Sequence, residues 1–405
     1  MKLKVFLIFA VILSPLLIPP AFPGNGCDGL GGYEEINEEM VAYYLTKICE
    51  FGPRYTGRDA CADAEEWVYN EFLSMGLKVE KFKWKMGGFE DSNIVATLTG
   101  DEYSVIIGAH IDTTETSPGA NDDASGVASV LAIAKVMSKY KPIHTTHFVV
   151  YTGEEVGAYG SYLHARHLYE NGEKIIAIIN VDMVGYANTS KGGNYIRCFT
   201  PERAIWIAQL ANEVAEKYYG KIKIGVEMVP NYPGADHQAY VDYGYDGLFF
   251  AHYDSYPYGH SPNDSIDKIN FTYLAKATKF LYCLLEEIAN KKISNYVFIR
   301  EPREGYFYFF GRALFPIVAK NWFSRARGIT IAIGRVDVVA EVDGNVEKVI
   351  FAVDGRMWYW DYSPPYEWKL NVLLFGKHEI EVYAYGEEIA RDEMDIIIFS
   401  PYIRR

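Results

Sequence analysis

His110 to Gly126 reads His-Ile-Asp-Thr-Thr-Glu-Thr-Ser-Pro-Gly-Ala-Asn-Asp-Asp-Ala-Ser-Gly. It sets an imidazole and the carboxylates of Asp112, Asp122 and Asp123 between an apolar run and a periodic one. The run before it, Tyr103 to Ala109, is β-branched and bounded by acidic residues, which predicts a buried strand. The stretch after it, Ala124 to Tyr140, carries apolar residues at helical spacing. His110 therefore stands where a strand ends, and Asp122 just before a helix begins. In open α/β sheets that edge is where ligands bind. A capping aspartate and a stray loop histidine would explain either residue alone. The rest of the chain weighs against that plain reading.

Upstream, Glu34 to Glu50 and Arg58 to Met75 read as amphipathic helices, and Leu77 to Lys85 and Ser92 to Leu98 as an antiparallel strand pair. Downstream, Thr145 to Thr152, Ile175 to Val181, Lys221 to Val229 and Gly247 to Ala251 read as strands. Helices are predicted at Gly160 to Glu170, Pro201 to Tyr219, Asp236 to Asp242 and Phe271 to Ala289. Strands alternating with helices predict an α/β fold, a mostly parallel mixed sheet covered by helices on both faces. The character changes near Lys291. Short strand patterns then recur at Gly328 to Ile333, Val336 to Val342, Val346 to Val353, Trp368 to Leu374, His378 to Tyr385 and Glu393 to Ile398. Their spacing predicts a small all-β, sandwich-like domain. The Tyr and Trp residues of Met357 to Trp368 are expected to pack its core, with an exposed aromatic patch as the alternative.

The chain's 405 residues suit two or three domains. The expected division is a signal peptide over 1–26, a catalytic domain over 27–292 and a C-terminal β-domain over 293–405. A net charge of −14 argues against nucleic acid as a partner. Lys2 and Lys4, the apolar stretch Val5 to Ile18 and the small residues up to Gly26 have the layout of a secretory signal. Export follows as the expectation, with no stable membrane span once the signal is cleaved. An uncleaved N-terminal anchor is the alternative. Export permits disulfides, and Cys49 and Cys61 flank a turn-rich segment where they are expected to pair. No Cys-x-x-Cys pair occurs, so nothing supports a zinc site built on thiolates. The oligomeric state is not legible.

Further groups fall at predicted strand ends. Glu154 and Glu155 follow one strand, Asp182 closes another, and His260 lies in the loop after a third. If those strands are parallel, their carboxyl ends converge at one edge. A mixed histidine and carboxylate set suits zinc or a similar divalent ion, and a central carboxylate can bridge two ions.

Together these motifs resemble the co-catalytic two-zinc exopeptidases, the family of aminopeptidase Y and the bacterial secreted leucyl aminopeptidases. The resemblance covers about Glu34 to Ala289. It rests on His110-x-Asp112, on Gly119-x-Asn121-Asp122-x-x-Ser125-Gly126, on Gly153-Glu154-Glu155-x-Gly157, on Asp182 and on His260-Ser261-Pro262-Asn263-Asp264. It implies two Zn2+ ions bridged by Asp122, with His110 and Asp182 on one and Glu155 and His260 on the other. It implies Glu154 as general base, Asp112 as acceptor of the His110 ring N–H, and a cis peptide after Asp122. The implied activity is aminopeptidase action on peptides. Asp236 and His237 match a family segment that lines the substrate pocket, although a helix cap with a structural histidine fits them equally.

One position departs from the family. Some members place a tyrosine just before the last histidine to stabilise the oxyanion, and Gly259 stands there, with Tyr258 and Tyr256 nearby. Tyr258 is thus a candidate substrate contact. The alternatives are a glutaminyl cyclase-like acyltransferase or a carboxypeptidase on the same fold, or a binding ectodomain that lost its metals. The cyclase reading needs one zinc rather than two. The carboxypeptidase reading needs a basic residue among the motifs. The ectodomain reading needs missing ligands.

Overall fold

A computed structural model describes residues 32–317, 329–370 and 372–400. The expected signal segment, with Cys27, lies outside the described residues, so its cleavage and the chain's export stay expectations. The first region runs α1 (Glu38–Cys49), α2 (Asp59–Ser74), β1 (Lys78–Met86), β2 (Phe89–Leu98), β3 (Tyr103–His110), α3 (Ala124–Met137), β4 (Thr145–Tyr151), α4 (Tyr159–Glu170) and β5 (Lys174–Val181). It continues through β6 (Tyr195–Thr200), α5 (Ile205–Ile222), β7 (Gly225–Pro230), α6 (His237–Val241), β8 (Gly247–His252) and α7 (Phe271–Ala289). Its sheet has the order β1-β2-β4-β3-β5-β8-β6-β7. The central strands β4, β3, β5 and β8 are parallel, while β1, β2 and β6 join antiparallel to a neighbour.

Burial on both faces explains why the central strands are so apolar. On β3, Val105, Ile107 and Ala109 enter the core formed with α1, α2, α3, α5 and α7. Ile106 points the other way, into a core shared with α4 and α6. On β4, Phe148 and Val150 take the first face, and Val149 and Tyr151 the second. The α/β expectation therefore holds. Two details differ. β6 was missed, and α5 extends to Ile222 where a strand was expected to begin at Lys221. Ile222 is buried in the helix-side core, and Lys223 ends the helix in the left-handed conformation.

The later region holds β9 (Asn295–Glu301), β10 (Tyr306–Phe309), β11 (Arg312–Pro316), β12 (Thr330–Ile333), β13 (Val336–Gly344), β14 (Val346–Val353), β15 (Arg356–Asp361), β16 (Tyr366–Leu370), β17 (Leu374–Gly386) and β18 (Ile389–Ser400). They form a seven-stranded sheet, β11-β10-β12-β18-β17-β14-β15, and a three-stranded one, β16-β13-β9. Alternate residues of both sheets meet in one core, among them Val338 and Leu370 from one and Phe351, Val382 and Ile396 from the other. That is sandwich packing.

Trp368 to Leu374 is not one strand. Leu370 pairs with Val336 in the small sheet, whereas Leu374 pairs with Ser400 in the large one. The aromatic expectation is also corrected. Trp368 is buried, but Met357, Trp358, Tyr359 and Trp360 are exposed on the edge strand β15, and Tyr362 is exposed just after it. Arg203 ties the two regions together. Its guanidinium reaches Asp246 at 3.2 Å, Glu304 at 2.9 Å and Asp392 at 2.9 Å.

The expected Cys49–Cys61 bond is absent, and among the described residues both thiols are free. Cys49 ends α1 and Cys61 lies in the first turn of α2, so each is held by its own helix. The buried Arg54, in the turn between those helices, lies within electrostatic reach of both.

Candidate metal centre

The parallel strands deliver their residues to one edge, as the sequence reading expected. His110 ends β3, Asp182 follows β5, Glu154 and Glu155 follow β4, and His260 lies in the loop after β8. Gly153 makes the turn out of β4. It sits at φ +81°, and a Cβ there would meet the Trp84 ring at 2.6 Å.

Two groups of ligand atoms form at this edge, and Asp122 belongs to both. One is His110, Asp122 and Asp182; the other is Asp122, Glu155 and His260. Within each, the atoms lie within 4.8 Å of one another. Asp122 Oδ1 lies 3.2 Å from His110 Nε2, and its Oδ2 lies 3.2 Å from His260 Nε2. His260 Nε2 is also 3.2 Å from Glu155 Oε2, and His110 Nε2 is 3.9 Å from Asp182 Oδ1. Glu155, not Glu154, joins the second group.

The set fits metal ions on two observations. His110 Nδ1 lies 3.0 Å from the backbone carbonyl of Asp112, which can only accept, so Nδ1 donates. Nε2 then faces the Asp122 and Asp182 carboxylates, an arrangement that requires either a second ring proton or a metal cation there. Second, Asp182 Oδ1 and Glu155 Oε1 are buried with no hydrogen-bond partner among the described residues. Such orphaned acceptors are costly unless an ion or water completes them.

The electrostatics show a shortage of positive charge. Burial pushes Asp182 up to about 7, with the charge of Asp122 adding to the shift. Burial and the Asp122 charge push Glu155 up to about 8. Glu154 is raised by burial against the pull of His110. At Asp122 burial acts upward too, but hydrogen bonds from His110 and His260 outweigh it and hold the carboxylate below its ordinary value. The bond to Asp122 raises His260 to about 9.

Asp112 does something other than the resemblance implied. Its carboxylate stands 3.7 Å from His110 Nδ1, while its backbone oxygen takes the ring N–H. The carboxylate instead accepts from the backbone N–H of Glu154 at 3.2 Å, that of Glu155 at 3.1 Å and the hydroxyl of Thr56 at 2.7 Å. Asp112 thus grips the segment that carries both glutamates.

The three candidate substrate contacts separate. Asp236 is fully buried, and its carboxylate has Ser161 as its one hydrogen-bonding neighbour among the described residues. The charges of His110 and Asp112 both act on it, which puts it near the centre. His237 turns away, with Nε2 2.8 Å from Asn231 Oδ1 and its ring against Phe249. Tyr258 packs edge-on against Tyr186 and Tyr256, with Lys268 over its ring. The Tyr256 hydroxyl is bound to Asp264. The Asp122–Asp123 peptide is cis.

Supporting roles that sequence reasoning did not assign are those of Asp264, Asp123 and Arg54. Asp123 Oδ1 accepts from Gly126 N–H at 2.9 Å, capping α3, and from Met183 N–H at 3.0 Å, next to Asp182. Arg54 donates to the carbonyls of Ile111, Pro118 and Gly119 and so pins the loop before Asp122. The sequence signal for Asp123 was the residue type just ahead of a helix. Arg54 had none.

Residues 93–284 match the model of peptidase family M28. A probable leucine aminopeptidase of Arthroderma otae is 28% identical over 285 residues, covering 63% of this chain and 73% of that protein. Among solved structures, a zinc aminopeptidase from Bacillus subtilis aligns with TM-score 0.59 at 15% identity, over 64% of this chain and 96% of that one. A glutaminyl cyclase from Bacteroides thetaiotaomicron aligns with TM-score 0.57 at 19% identity, over 64% of this chain and 99% of that one. At such identities the two structures show a shared fold, and the fold by itself does not separate peptide hydrolysis from cyclisation.

Proposed function

We propose that this chain, a metal-dependent aminopeptidase similar to the zinc exopeptidases, works with two Zn2+ ions sharing Asp122. The observation that carries the proposal is the split of Asp122, one oxygen toward His110 and the other toward His260, each 3.2 Å away. His110 and Asp182 would hold one ion, and Glu155 and His260 the other. Bound zinc supplies Lewis acidity, which polarises a carbonyl and brings the pKa of water toward neutrality.

The chain's own residues do the rest. Glu154 lies beside the metal groups without joining them, in a buried position where its carboxylate takes up a proton readily. It accepts a proton from the attacking water and returns it to the leaving amine. Asp112 fixes its backbone through the Glu154 N–H. Asp236, a buried carboxylate with no cationic partner among the described residues, is suited to the substrate's free ammonium group. That contact would confine cleavage to the first peptide bond. Peptides are the substrates in this reading. The proposal also includes export of the chain and a domain boundary between residues 292 and 293.

The test pairs metal analysis with end blocking. The expected result is two zinc ions in these sites, hydrolysis of a free peptide and none of its N-acetylated twin. Equal cleavage of both rejects aminopeptidase action. Formation of a cyclised product from an N-terminal glutamine peptide, without release of that residue, would move the chain to cyclase chemistry.

A further inference from the structure

Cys61, Glu65 and Asp91 form a third group of ligand chemistry, made of residues outside the two described above. Each offers one atom, and the three atoms lie within 4.8 Å of one another. Cys61 and Glu65 are one turn apart on α2 and so share a face. Asp91 reaches them from β2 and is itself fixed, with its carboxylate accepting the Gly57 N–H at 2.8 Å and the Ser92 N–H at 3.0 Å. Cys61 is fully buried and Glu65 is 3% exposed. The Glu65 carboxyl is in hydrogen-bond contact with Asp91 and Cys61, while its Oε1 is buried and has no partner among the described residues.

Two carboxylates and a thiol packed this closely need a cation or protons. The nearby basic groups are committed elsewhere. Arg54 spends its guanidinium on the backbone carbonyls of Gly52, Ile111, Pro118 and Gly119. Lys81 pairs with Glu66 at 2.6 Å. We propose that Cys61, Glu65 and Asp91 bind one further divalent ion of the zinc class. A sulfur with two carboxylate oxygens is a borderline-soft set that suits zinc over magnesium or calcium. Binding releases the Cys61 thiol proton, and any proton held by Glu65, to solvent. The ion joins the first turn of α2 to β2 beside the Gly57 turn. The neighbouring residue, Thr56, donates to the Asp112 carboxylate, so the ion braces the scaffold behind the centre without touching substrate.

Cobalt(II) provides the test, because the aminopeptidase centre has no sulfur ligand. Full-length protein loaded with cobalt is expected to show a thiolate-to-cobalt charge-transfer band. Cys61→Ser should abolish the band and lower bound metal by one equivalent, with peptide hydrolysis within twofold of the parent. Glu65→Gln keeps the thiol and the side-chain size, and serves should the cysteine variant fail to fold. It is expected to weaken loading of this ion at least tenfold. A cobalt-loaded protein without the band, or a band and stoichiometry unchanged in both variants, overturns the proposal. Protons shared by Glu65 and Asp91 would give that result. Failure of the two-zinc reading would leave the band in place, so the two ideas fail separately.

Discussion

Asp264 holds Asp122 by its backbone. Its Oδ2 accepts the Asp122 N–H at 3.1 Å, and its Oδ1 accepts the Asn121 N–H at 2.8 Å. The last residue of the His-Ser-Pro-Asn-Asp motif therefore grips the residue that both ligand groups share. The same loop brings His260 to the other side of Asp122. Two motifs more than a hundred residues apart are one mechanical unit.

Asp264→Ala should accordingly loosen the metals without removing a ligand. Losing an outer partner of this kind typically costs 10- to 100-fold in metal affinity or activity. Competition with a chelator measures it. Asp264→Asn keeps one acceptor oxygen and should fall between the parent and the alanine variant. Metal retention equal to the parent in both would show that the Asp122 backbone needs no such clamp.

Why the proposed ligands were legible while the supporting roles of Asp264, Thr56 and Arg54 were not has a physical reason. His110 and Asp182 interrupt or close apolar runs, and a strand's alternation and length are written locally. Asp264 acts on a backbone 142 residues away, and Arg54 on a carbonyl 65 residues away. No local pattern encodes such partners. Likewise, β-strand composition does not tell an edge from a centre, which is why Trp358 and Trp360 were assigned to a core and are exposed instead. Cys49 and Cys61 are close in sequence, but whether two thiols meet is set by the geometry of the helices that carry them.

Removing Arg203 should weaken the hold between the two regions. Its side chain is 10% exposed and faces Glu304 and Asp392, both from the β-region. Arg203→Met leaves those carboxylates without their cation. Breaking a buried pair from one side commonly costs about 3–5 kcal/mol. A lowered denaturation midpoint is expected, with zinc content retained, since no proposed ligand touches Arg203. A midpoint within experimental error of the parent would mean the network contributes nothing net.

Acid should destabilise the protein partly through His164. This buried ring lies against Phe82, and its Nδ1 is 2.7 Å from the Tyr240 hydroxyl, which also meets Tyr151. Burial lowers it to about 3, and the neighbouring His147 and His167 push the same way. Its folded value lies below the unfolded value near 6.5. The stabilisation is thus complete above about pH 6.5 and is lost as pH falls from there toward 3. The slope is about 1.4 kcal/mol per pH unit for one such group. Ligand protonation adds its own slope, so the informative quantity is the difference between parent and His164→Gln. Urea midpoints from pH 7.5 to 4.5 should fall more steeply for the parent. Parallel profiles would remove His164 from the account.

Glu154 and Glu155 are adjacent, and their division of labour is the sharpest test of the proposed chemistry. Both backbones are held by the Asp112 carboxylate, so neither is free to drift. The Glu155 carboxylate meets Asp122 and His260 as part of a ligand group, and that of Glu154 joins no such group among the described residues. Glu154→Gln keeps size and hydrogen bonding but removes the proton acceptor. It should retain both zinc ions and lose turnover by about a hundredfold or more, the usual scale for a general base. Glu155→Gln takes a charge from one ligand set. It should lose metal from that set and regain part of its activity when zinc is added. Were the two glutamates only capping the chain after β4, either change would cost about 1 kcal/mol of stability and little activity. Zinc content and turnover, measured on the same preparations, separate these outcomes. A fully metallated Glu154→Gln protein with parental turnover would rule out Glu154 as the base.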